Sequence, residues 1–166
     1  MTTPREQSWS DDAPDHGRLL VLSRNPVSEA VAAIATAVGK PLVLVEHDED
    51  GAGLAAYQQA APTAQDAVLV CDHDAPDAPK VLRAALDGAV GYVAMLASRS
   101  RTARVLAELR GEGYDEEMLS RLHMPAGLDT GGKTPGEMAL SVVAEVVAWS
   151  HGRTGGPMSA RHQDHP

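Results

Sequence analysis

Ser98-Arg99-Ser100-Arg101 sets two hydroxyls and two guanidinium groups on one turn, directly after the apolar run Tyr92 to Leu96. Guanidinium forks and hydroxyls bind oxyanions, and the segment that follows has the composition of a helix, whose first N–H groups add positive potential. That is the chemistry of an anion or phosphate cradle. An ordinary helix start, with Ser as the cap and Arg in solvent, accounts for the same residues equally well. A second candidate is Gly127-Leu128-Asp129-Thr130-Gly131-Gly132, whose glycines allow tight turns and close approach of backbone to a ligand. It leads into Thr134-Pro135-Gly136-Glu137, a capping box with Pro at the first helical position. A connecting loop that needs positive φ is the alternative. The candidate binding residues are therefore Ser98, Arg99, Arg101, Gly127, Asp129, Thr134 and Glu137.

Three other loops carry reactive side chains and have plainer explanations. Ser23-Arg24-Asn25-Pro26 occupies the position of a dinucleotide-binding turn but holds no glycine, and Pro26 removes one N–H donor. NAD is disfavoured there, and a helix-capping turn is the simpler assignment. Glu46 follows the second apolar run, about 20 residues on, where an acid would meet a ribose hydroxyl if the glycine fingerprint were present. The rest of Glu46 to Asp50 is a charge run of the kind that stays solvated, and no metal is assigned to it. Cys71-Asp72-His73-Asp74 mixes soft and hard ligands without the spaced pairs a zinc site needs. Neighbouring strand residues point to opposite faces, so a Cys71–His73 nucleophile is less economical than a buried thiol and a polar turn. No catalytic residue is assigned.

Short apolar runs at Leu19 to Leu22, Leu42 to Val45, Ala67 to Cys71 and Tyr92 to Leu96 read as strands covered on both faces. Helical spacing predicts helices over 27–38, capped by Asn25 or Ser23, and around 54–60. Further helices are predicted near 81–86 with Asp77 as cap, over 102–109, over 115–122 and over 134–149. Strands alternating with helices imply a Rossmann-like three-layer α/β domain, with a mostly parallel sheet and helices on both faces. It is expected to span 17–151, between disordered tails at 1–16 and 152–166. The core must come from Val, Leu and Ala, because the chain has no Phe, 2 Trp and 3 Tyr. A net charge of −9 argues against nucleic acid or an anionic membrane surface as partner. A lone Cys71, an acidic start without an apolar core and the lack of a run of roughly 20 apolar residues point to a cytoplasmic protein. The Ala/Val-rich last helix would suit a homodimer face.

Three segments in one order resemble a known family. Tyr92-Val93-Ala94-Met95-Leu96-Ala97-Ser98-Arg99 is similar to the Tyr-Val-Gly-Leu-Leu-Gly-Ser-Arg strand and turn of XdhC/CoxI proteins. Pro125-Ala126-Gly127-Leu128-Asp129 resembles their Pro-Ile-Gly-Leu-Asp, and Thr134 to Glu145 resembles their Thr-Pro-Glu-Glu-Ile-Ala-Leu-Ser-Ile-x-Ala-Glu helix. Ala97 stands where the family has Gly, and the family's glycine-rich first turn is absent. The resemblance, to the C-terminal Rossmann-like domain as a stand-alone chain, implies an accessory protein, a chaperone more than an enzyme. It implies binding of molybdenum cofactor (molybdopterin), or of a nucleotide, and its handover to a molybdenum hydroxylase apoenzyme of the xanthine or carbon monoxide dehydrogenase type. Two other classes stay open: an NAD(P)-binding oxidoreductase-like domain, and a regulatory or scaffolding module without a ligand.

Overall fold

The computed structural model describes residues 16–45 and 52–162. The expected N-terminal tail up to Asp15 and the acidic run from Glu46 lie outside the described residues. The elements alternate as β1 (Leu19–Leu22), α1 (Pro26–Ala37), β2 (Leu42–Val45), α2 (Ala52–Gln59), β3 (Ala67–Val70) and α3 (Ala78–Asp87). They continue with β4 (Tyr92–Met95), α4 (Arg99–Gly111), α5 (Glu116–Leu119), β5 (Leu122–His123) and α6 (Pro135–Ser150). A 3-10 turn follows at Met158–His162. All pairings are parallel and the strand order is β2-β1-β3-β4-β5. The fold is thus the Rossmann-like α/β arrangement expected of the sequence.

The period-2 alternation of each strand divides the core in two. Leu20, Leu22, Val68, Val70, Val93 and Met95 face α2, α3 and α4. Leu19, Val21, Ala67, Leu69, Tyr92 and Ala94 face α1 and α6, which lie side by side on the other surface. The chain leaves β1 in one direction and β3 in the other, so a crevice opens beyond the carboxyl ends of β1 and β3, where ligands bind in such sheets. No helix among the described residues is long and apolar enough to cross a membrane.

Two local expectations are revised. The helix predicted over 115–122 stops at Leu119, and Leu122–His123 instead joins the sheet as β5. Asp115 caps the helix through Met118 N at 2.8 Å, but the Arg121 side chain bonds the carbonyls of Leu86, Gly88 and Val90 and draws the chain to the sheet edge. The Arg121 carbonyl then accepts from Val93 N at 3.0 Å. Asp77 is buried at the start of α3 without capping it; its carboxylate accepts from Leu54 N at 3.1 Å and ties α3 to α2.

The end of the sheet away from the crevice is fastened by Asp66. Its carboxylate accepts from Arg18 N at 2.7 Å, from the Arg18 guanidinium at 2.8 Å and from Thr63 N at 2.7 Å. Burial pushes the Asp66 carboxyl up, but these donors outweigh it and hold the group well below its ordinary 3.8. A depressed carboxylate contributes stability that is complete above the unfolded value and is lost as the pH falls toward the folded one. Acid unfolding should therefore set in below about pH 4, and Asp66→Ala should cost about 2–3 kcal/mol at neutral pH, the exposed side of Arg18 limiting the figure. Urea titrations of both proteins at pH 7 and pH 3 measure this; an equal loss at the two pH values would contradict it.

Candidate functional site

The segment that enters the crevice from the far side, residues 124–133, is anchored at Gly127 by a carboxylate of the last helix. Glu145 projects from the buried side of α6 and accepts from Tyr92 OH at 2.7 Å, from Gly127 N at 2.7 Å and through a 2.9 Å bond with His123 Nδ1. The Tyr92 and His123 rings stack with centroids 4.1 Å apart, and Trp149 lies against Tyr92. Burial pushes the Glu145 carboxyl up, while the bonds from His123, Tyr92 and Gly127 more than offset this and leave it below its ordinary value. The Tyr92 phenol is raised by burial and then by the Glu145 charge. Two backbone bonds extend the clamp, Ala126 N to Met95 O at 3.0 Å and Leu128 N to Ser141 O at 3.2 Å. Gly127 has φ +102, and a Cβ there would lie 2.4 Å from Ser141 Oγ, so only glycine lets the loop seat so closely on α6.

Between this loop, the β4–α4 turn and the start of α6 lies a cleft of two lobes that share Leu96, Pro125, Ala126 and Met138. One lobe, about 430 Å³, is polar along one wall, with Arg99, Asp129 and Lys133. The other, about 450 Å³, is mostly apolar and reaches Val27, Cys71, His73 and Ser98. Each falls within the ordinary size of a small-molecule site.

The predicted residues divide within this frame. Arg99, Gly127 and Asp129 line the first lobe and Ser98 the second, so the turn and the glycine loop do meet. Ser98 is also the cap of α4, accepting from Arg101 N at 3.3 Å. Arg101 turns toward Asp74, 3.4 Å away. Thr134 and Glu137 close on each other as a capping box: Glu137 Oε2 accepts from Lys133 N, Thr134 N and Thr134 Oγ1 at 2.9–3.0 Å. Neither lines a lobe. Sequence reasoning missed Lys133 and the Tyr92–His123–Glu145 cluster. A signal for Glu145 was present, because an acid in register with Val142 and Val146 falls on the apolar side of its helix.

At the crevice itself Asn25 takes up donors and acceptors from both sides. Asn25 caps α1, its Oδ1 accepting from Val27 N and Ser28 N at 3.0 Å each, while its Nδ2 donates to Cys71 O at 3.2 Å. Cys71 is buried, and burial with the nearby Asp72 pushes its thiol up to about 12, so the thiolate a nucleophile requires is not formed. Asp72, His73 and Asp74 bring one ligand atom each within 4.8 Å of one another. Asp74 shares that position with the Arg101 cation, and Asp72 Oδ1 accepts from Asp74 N at 2.9 Å, as in an ordinary polar turn.

The family model described as the XdhC Rossmann domain matches residues 19–146. The chain belongs to the XdhC Rossmann domain family. Over 69 residues the XdhC-family chain is 39% identical to Escherichia coli (strain K12) protein YqeB, covering 42% of the chain and 13% of YqeB. The fold is similar, at a TM-score of 0.67 and 21% identity, to a crystal structure from Bacillus halodurans described as a xanthine dehydrogenase. That likeness covers 87% of the XdhC domain chain and 46% of the solved one. The chain thus spans less than half the length of either relative.

Glu145→Ala would strand the Gly127 N–H and the Tyr92 hydroxyl in this XdhC domain. It should lower stability by about 2–3 kcal/mol, or roughly 5–10 °C in Tm, and speed amide exchange at Gly127 and Leu128. Unchanged exchange in that loop would show that Glu145 does not hold it. Cys71 should react with a thiol reagent near pH 7.5 only in denaturant; rapid modification of the native protein would contradict its burial.

Proposed function

We propose that the cleft binds a phosphate-bearing cofactor and that the domain serves the maturation of a molybdenum hydroxylase, of the xanthine or carbon monoxide dehydrogenase type, as an accessory protein. Molybdopterin is the ligand assigned, and its handover to the apoenzyme is the task. The observation that carries this is the pairing of an apolar lobe with a lobe that presents the Arg99 guanidinium, which has no carboxylate partner among the described residues. A flat heterocycle needs apolar walls, which Val27, Leu96 and Met138 supply, and a phosphate needs a forked cation, which Arg99 supplies. Gly127 seats the wall of the lobe against α6, and Asp129 would accept from the ligand's N–H groups. The cofactor brings the sulfur ligands that hold molybdenum. The residues of the domain would bind and orient it.

Membership of the XdhC family supports the link to that class of enzyme, as does the fold shared with the Bacillus halodurans protein. An NAD(P)-dependent oxidoreductase suits the cleft less well, because the glycine-free first turn spends its donors on Asn25. Calorimetric titration with molybdopterin should show binding that Arg99→Ala weakens about tenfold, the value of one charge-assisted contact. Equal binding by the variant would remove Arg99 from the site. Silence from the wild type, with capture of a hydroxylase subunit in a pull-down, would replace cofactor handling by a scaffolding role.

A further inference from the structure

Several carboxylates near the cleft are committed to the chain itself. Asp74 is paired with Arg101, Asp72 accepts from Asp74 N, Glu137 closes the capping box of α6 and Glu145 anchors the Gly127 loop. Asp129 differs from them. It lines the lobe that holds Arg99 and Lys133, and among the described residues its carboxylate has neither a hydrogen-bond nor an ion-pair partner. An aspartate in a turn ordinarily accepts from the backbone two residues on; this one does not. Its place is nevertheless set by the backbone. Thr130 N donates to Leu128 O at 2.9 Å, which closes a three-residue turn with Asp129 at its apex, and Leu128 N is tied to Ser141 O at 3.2 Å.

We propose that Asp129 is the specificity-determining residue of the cleft. It reads the paired N–H donors of an aminopyrimidinone edge, as in guanine or a pterin, while Arg99 takes the phosphate of the same ligand; this rests on the phosphate reading above. An ionised carboxylate only accepts, and its two oxygens match two parallel N–H donors. An aminopyrimidinone ring offers that pair, an amino N–H beside a ring N–H. Xanthine has a carbonyl in place of the amino group, and hypoxanthine has nothing there, so neither completes the pair. Leu96, Pro125 and Met138, on the wall shared by the two lobes, give a flat ring an apolar surface. A carboxylate in a phosphate-binding lobe also weakens every anionic ligand that leaves it unpaired. Asp129 thus selects by repulsion as well as by attraction.

The monophosphates of guanosine, xanthosine and inosine (GMP, XMP and IMP) share ribose and phosphate and differ at that edge alone. In calorimetric titration the full chain should bind GMP about tenfold more tightly than XMP or IMP. Asp129→Asn offers one acceptor and one donor in place of two acceptors, which matches the N–H and carbonyl of xanthine. The variant should therefore prefer XMP to GMP, again about tenfold. Asp129 is exposed, so the fold is not at stake and Tm should not change. Arg99→Ala should weaken all three nucleotides alike. Equal binding of the three by the wild type, weakened by Arg99→Ala, would overturn the role of Asp129 and leave the phosphate site standing. Asp129→Asn weakening all three alike, with GMP still preferred, would reduce Asp129 to a part of the loop and defeat the proposal too. Failure of GMP to bind would overturn it outright, and the molybdopterin titration then decides whether the phosphate reading falls with it.

Discussion

A carboxylate taken out of water must collect hydrogen bonds, and Glu145 collects them from three directions. Tyr92 comes from the central sheet, His123 from its edge and Gly127 from the loop that walls the cleft. The need to satisfy one charge therefore fixes the relative positions of β4, β5, α6 and residues 124–133. Gly127 completes the arrangement by having no Cβ to collide with Ser141. Remove the carboxylate and the part of the loop around Gly127 keeps the backbone bonds to Met95 and Ser141. The cleft is shaped by that loop, so its geometry depends on a residue that touches none of its surface.

The same economy of donors recurs around the cleft. Three helices that begin near it are capped by their own side chains: α1 by Asn25, α4 by Ser98 and α6 by Thr134 with Glu137. Capping stabilises a helix start by about 1 kcal/mol and takes up one or two of its unpaired N–H groups. Side-chain charge on the rim of the cleft comes from Arg99, Asp129 and Lys133.

The lone thiol and the acidic turn beside it belong to the scaffold. Cys71 sits where the carboxyl end of β3 meets the Asn25 amide, and its burial keeps it protonated. Asp74 is shared with Arg101, which steadies the first turn of α4 and keeps that guanidinium turned toward β3. Chemistry that the residue types permit is thus withheld by where the fold puts them.

Local pattern alone determined the α/β class, the four long strands and most helix starts. Apolar runs, 3.6-residue spacing and caps at Asn25, Ser98, Asp115 and Thr134 are interactions between residues a few positions apart, so they are written in order along the chain. The Gly127 loop was legible as a candidate because it leads into the last helix, but the strand that brings it beside the Ser98 turn was not. Only the tertiary structure decided the strand order and the place of β5, a strand of two residues too short to show any periodicity. It alone decided that Arg101 is spent on Asp74 while Arg99 and Lys133 have no carboxylate partner among the described residues. It alone brought Glu145 to partners 53, 22 and 18 residues away. Hydrogen bonds of that span depend on how the layers pack, and no spacing within a single element encodes them.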